Sequence, residues 1–119
     1  MELTIGKIHE LQQCTRQRGT FTCLALDHRQ NLRRALNPEN PSTVTDSDLT
    51  DFKLDVATAL AGEATPKLFD PEYSATQAVA RGGIPGHVGL VVALDATGYA
   101  GDSVSRQSRI LPGWSVKKS

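Results

Sequence analysis

The sequence predicts an α/β fold with a parallel sheet, and two observations carry that expectation. Segments with helical spacing alternate with short β-branched or apolar runs along the chain. The last of these runs, "HVGLVVALD" (87–95), is apolar almost throughout and lacks strand alternation. That pattern predicts a strand covered on both faces, as in a parallel sheet flanked by helices. Each run also ends in an aspartate: Asp27, Asp70 and Asp95.

In chain order, Ile5, Ile8 and Leu11 are spaced for one face of a short helix, with Thr4 as its N-cap. "RQRGT" (16–20) breaks it, and "TFTCLAL" (20–26) is the first strand. Cys23 lies within that run and reads as a small buried side chain rather than a nucleophile. Leu32 and Leu36 share a face of the next helical stretch, which "NPENP" (37–41) terminates.

"TVTDSDLTDFKLDVATALAG" (43–62) is the clearest helix. Thr45 with Asp48 forms a capping-box pattern, and Asp46 and Asp48 suit the positive end of the helix dipole. Gly62 is placed as a C-cap, and Leu49, Phe52, Val56 and Leu60 recur at three- and four-residue steps as the core face. "PKLFDP" (66–71) follows as the second strand and "SATQAVARGG" (74–83) as a turn or short helix. The glycines of "RGGIPGHVG" (81–89) match neither a P-loop nor a dinucleotide fingerprint, and a tight turn before the third strand accounts for them.

The chain has 119 residues, of which 39% are hydrophobic and 22% charged, ordinary values for a globular protein. The formal net charge is zero, which gives no overall pull towards nucleic acid or an anionic membrane. Two cysteines are too few for a disulfide framework and suit a reducing cytoplasm. No leader-like or membrane-spanning stretch is evident, so a cytoplasmic protein without nucleic-acid or membrane partners is expected. His9, His28 and His87 lie far apart without ligand-like spacing, and no metal site is expected.

In a parallel sheet the carboxyl ends of the strands face one way, and ligands bind there. Asp27, Asp70 and Asp95 therefore share one predicted rim and form a candidate site. An acid after a strand is also a common turn or helix-cap residue, so each alone carries little.

"LALDHRQNLRRAL", "LTDFKLDVATAL", "KLFDPEYSATQAV", "GLVVALDATGY" and "WSVKK", in that order, resemble the N-terminal part of the tagatose-bisphosphate aldolases. The related sulfofructose-phosphate aldolases share "LTDFK" closely. The resemblance runs from about Thr20 to the end of the chain. It implies a TIM (β/α)₈ barrel, of which residues 1–119 would form the N-terminal portion, about three βα units of a single domain. Residues 1–19 would be a helix and turn ahead of the first strand.

The implied reaction is reversible class I aldol cleavage of a ketose (bis)phosphate, such as tagatose 1,6-bisphosphate, to dihydroxyacetone phosphate and an aldehyde. A lysine forms a Schiff base with the substrate, and no cofactor is needed. Asp27 resembles the family's acid beside the imine, where a carboxylate orients the lysine and pairs with the cationic imine. His28 stands where many relatives carry Gln. Arg29 resembles a retained basic residue, which would meet a substrate phosphate or brace the rim with a salt bridge. Asp70 and Asp95 join His28 and Arg29 as candidate substrate-binding residues.

A whole barrel needs about 250 residues. The Schiff-base lysine, catalytic glutamate and phosphate loops are accordingly expected on later strands, leaving this chain inactive alone. Lys53 and Lys67 are expected away from the rim, and Lys117 and Lys118 in the first turns of a further helix that Trp114 anchors. The expected partner is a sugar phosphate, with homo-oligomers an open expectation for the full-length form. Two rivals differ in class: a receiver-like phosphoacceptor domain, and a non-catalytic fragment or subunit. A receiver needs five strands and paired acids after the first, where this sequence shows three strands and single acids.

Overall fold

A computed structural model describes residues 2–96 and 107–116. The first helix, α1 (Ile5–Gln13), starts where Thr4 takes the Lys7 amide N–H at 3.3 Å. It is followed by β1 (Leu24–Leu26), α2 (Gln30–Leu36), α3 (Asp46–Ala59), β2 (Lys67–Phe69), α4 (Ala75–Ala80) and β3 (Leu90–Val92). A 3₁₀ turn over Pro41–Thr43 separates α2 from α3.

The three strands form one parallel sheet in the order β1-β2-β3. Leu24, Ala25 and Leu26 face Lys67, Leu68 and Phe69 in register, and these face Leu90, Val91 and Val92. The α/β class and the shared direction of the strands follow the expectation from sequence. A sheet of this size is compatible with part of a barrel. The core joins Leu54 and Ala57 of α3, Phe69 of β2, and Ala75 and Ala78 of α4, with Leu26, Ile84 and Val92 packed against them.

The N-terminus of α3 forms as its sequence predicts. The Thr45 hydroxyl accepts the Asp48 N–H at 3.1 Å, and Asp48 accepts the Thr45 N–H at 2.8 Å, which completes the capping box. The hydrogen bonds from Thr45 hold the Asp48 carboxyl below its ordinary 3.8. Its contribution is thus present above that value and is lost as pH falls through the lowered one. Replacing Thr45 by Ala should destabilise the chain by about 1 kcal/mol, read from the midpoint of urea unfolding at constant m.

Four details depart from the sequence reading. Helix α3 buries Leu49, Thr50, Lys53, Leu54 and Ala57, whereas Phe52 is 40% exposed and Leu60 38%. The helix is turned because two polar groups anchor it: the Thr50 hydroxyl donates to the Tyr73 carbonyl at 2.6 Å, and Lys53 pairs with Asp70. Hydrophobic spacing alone does not register such anchors. The helix ends at Leu60 as C-cap, not at Gly62. Among the described residues the left-handed glycines are Gly19, Gly82 and Gly113, and Gly82 lies in the turn expected ahead of the third strand.

Strand β3 is not covered on both faces. Val91 is 38% exposed, and among the described strands β2 takes the centre and β3 an outer position. Cys23 is exposed just ahead of β1, and the buried cysteine is Cys14, whose thiol pKa burial raises. Cys14 packs against Gly89, where a Cβ would collide with its sulfur and backbone. Trp114 lies half-buried beside a groove it shares with Leu90, Val91 and Val79. The helix expected at Lys117 and Lys118 lies outside the described residues.

Candidate active site at the carboxyl rim of the sheet

Because Leu26 pairs with Phe69 and Phe69 with Val92, the residues that follow emerge at one rim. Asp27 and Asp70 are the first residues past β1 and β2, and Asp95 comes three positions past β3. The structure thus brings the three acids to the same end of the sheet. Their environments differ sharply.

Asp70 is fully buried, and its carboxylate is committed throughout. Oδ1 accepts the backbone N–H of Glu72 at 3.0 Å and of Tyr73 at 2.7 Å, an Asx-type turn across Pro71. Oδ2 accepts the Ser74 hydroxyl at 2.5 Å and the ammonium of Lys53, whose side chain is also buried completely. No oxygen of Asp70 is left for a substrate in this arrangement. Lys53, expected away from the rim, comes from the middle of α3 and ends at it.

Asp95 is exposed and pairs antiparallel with Ile110. Its Oδ1 accepts the Arg109 N–H at 3.1 Å, and its carbonyl accepts Arg29 Nη2 at 3.2 Å. Arg29, only 4% exposed, also lies 3.4 Å from the Glu72 carboxylate through Nη1. The guanidinium thus ties the segment after β3 to the turn after β2. Its Nε is buried without a partner among the described residues.

Asp27 is different. It is half-buried at the end of β1, and its carboxylate has no hydrogen-bond or ion-pair partner among the described residues. His28 beside it is exposed. The rim therefore offers one uncommitted carboxylate, an accessible imidazole and a buried guanidinium two residues on. Among the described residues no group of three His, Cys, Asp or Glu side chains is placed to hold a metal ion. No helix among them is long and apolar enough to cross a membrane.

Sequence reasoning missed Lys53, Ser74 and the Glu72–Arg29 pair. A signal was present in "DPEYS", where an Asp before Pro with a Ser four residues later marks a side-chain-locked turn. Lys53 gave a weaker one, since it shares the i−4 and i+4 positions of Leu49 and Ala57.

Lys67 is also buried, and it sits at the opposite end of β2. Its Nζ donates to the Leu60 carbonyl at 2.6 Å, and burial lowers its pKa from 10.5. A lysine with depressed basicity is what imine chemistry uses, but this one faces away from the rim and is 1% exposed. The unfolded chain binds the Lys67 proton more tightly than the folded one, so stability should rise with pH from the lowered value up to 10.5. Lys67→Met should abolish that alkaline rise, seen by comparing urea midpoints of the two proteins across the range. Parallel curves would refute the assignment.

No family model matches the chain. Among curated proteins it is 32% identical over 120 residues to tagatose 1,6-diphosphate aldolase 2 of Streptococcus agalactiae serotype III, a match covering 99% of the chain. It is 32% identical over 116 residues to tagatose 1,6-diphosphate aldolase 2 of Enterococcus faecalis. The tagatose 1,6-diphosphate aldolase of Lactococcus lactis subsp. lactis matches at 32% over 120 residues. The chain spans about a third of the length of these relatives, 34% to 35%. Over almost all of its own length, the chain is similar in sequence to tagatose 1,6-diphosphate aldolases.

Proposed function

We propose that this chain supplies the Asp27-bearing part of a class I aldolase site. The reaction would be reversible cleavage of a ketose bisphosphate, such as tagatose 1,6-bisphosphate, to dihydroxyacetone phosphate and an aldehyde. One observation supports this reading above the others. Of the three strand-end acids, Asp27 alone keeps its carboxylate uncommitted among the described residues, at the position where the resemblance puts the acid beside the imine.

The chemistry suits a fixed anion. When a lysine elsewhere in the enzyme condenses with the ketone, nitrogen gains positive charge, and a carboxylate already in place stabilises it without reorganising. His28, exposed next to Asp27, is positioned to meet substrate hydroxyls. Arg29 acts by bracing the rim, since Nη1 and Nη2 are already engaged.

The test is a chimera in which this chain replaces the matching 120 residues of the Lactococcus lactis relative. A folded chimera should cleave tagatose 1,6-bisphosphate and be trapped as a covalent adduct by borohydride with dihydroxyacetone phosphate. A chimera with native-like circular dichroism but no cleavage would overturn the proposal.

A further inference from the structure

Asp27 and Asp70 leave neighbouring parallel strands at the same level, directly after the paired Leu26 and Phe69. Asp70 is buried completely, and a carboxylate there is sustainable only with a compensating cation and a full set of donors. Lys53 is that cation, reaching in from α3 with no exposed side-chain surface. The remaining acceptor positions of Asp70 lock the turn between β2 and α4 through the amides of Glu72 and Tyr73 and the hydroxyl of Ser74. From that turn Glu72 faces Arg29 at 3.4 Å, and Arg29 also holds the Asp95 carbonyl. Contacts therefore run without a break from Lys53 to the residue two places after Asp27.

We infer that Lys53 is a positioning residue: by holding Asp70 it sets the β2–α4 turn, which holds Glu72 on Arg29 and leaves Asp27 the uncommitted acid of the rim. The use made of that rim rests on the aldolase reading. The chain of contacts does not.

Lys53→Met separates charge from packing, because Met keeps most of the apolar stem and removes the ammonium. In the full chain, this variant should speed amide exchange at Glu72 and Tyr73 by at least about tenfold and move the Arg29 side-chain N–H resonance. The double variant Lys53→Met with Asp70→Asn should restore both. The Asn carbonyl can still accept the two amides, and its NH₂ can donate to Ser74.

Unchanged exchange together with an unmoved Arg29 signal in Lys53→Met would overturn the inference. So would a double variant no better than the single one. If Lys53→Met unfolds the whole chain, the double variant decides: recovery supports the pair, and failure to recover rejects it. Cleavage by the chimera is a separate readout, so the aldolase reading can fail while this result stands, and the reverse.

Discussion

Asp27→Asn in the chimera should lower turnover of tagatose 1,6-bisphosphate by about two orders of magnitude or more, with the circular dichroism spectrum unchanged. Removing one preorganised charge or donor from a transition state is worth about 10²–10³ in rate. The fold should tolerate the change because Asp27 has no internal partner among the described residues, so no buried donor is orphaned. KM should move less than kcat, since the charge it answers develops only after the substrate is bound. Asp70→Asn gives the instructive contrast. That change leaves the buried Lys53 ammonium without its counter-ion, so loss of activity there should come with loss of structure. Equal turnover in Asp27→Asn and the unaltered chimera would remove Asp27 from the reaction.

The contrast between these aspartates also marks where the sequence stops being legible. Strand ends and the α3 cap could be read because they depend on local chemistry: Asp48 sits three residues from Thr45, and each Asp closes an apolar run. The face of α3 could not, because its anchors lie far along the chain. Lys53 meets Asp70 across 17 positions and Thr50 meets Tyr73 across 23. The same holds for β3. An apolar run predicts burial, but how much of it is covered depends on which strand takes the centre, and among the described strands that is β2. For the site, sequence could gather three acids at one rim without saying which were already spent. That distinction needs the turn geometry of residues 70–74, where a single carboxylate takes four donors.

The chain as it stands, purified and incubated with dihydroxyacetone phosphate and borohydride, should acquire no stoichiometric adduct on Lys7, Lys53 or Lys67, by intact mass and peptide mapping. An imine-forming lysine needs a free amine, an approach path for the ketone and a neighbouring group to move protons. Lys7 lies on the exposed face of α1 with none of the rim acids near it in sequence or element. Lys53 reaches the rim, but its ammonium is sealed against Asp70 with no exposed surface, so a ketone cannot approach without breaking the pair. Lys67 has the depressed pKa that makes an amine reactive, yet it is buried at the far end of β2 and donates to Leu60. None of these three lysines meets all three requirements. A single, site-specific adduct on Lys53 would be the most damaging outcome. It would mean that the Lys53–Asp70 pair opens to substrate, making Lys53 a nucleophile rather than the brace of the rim.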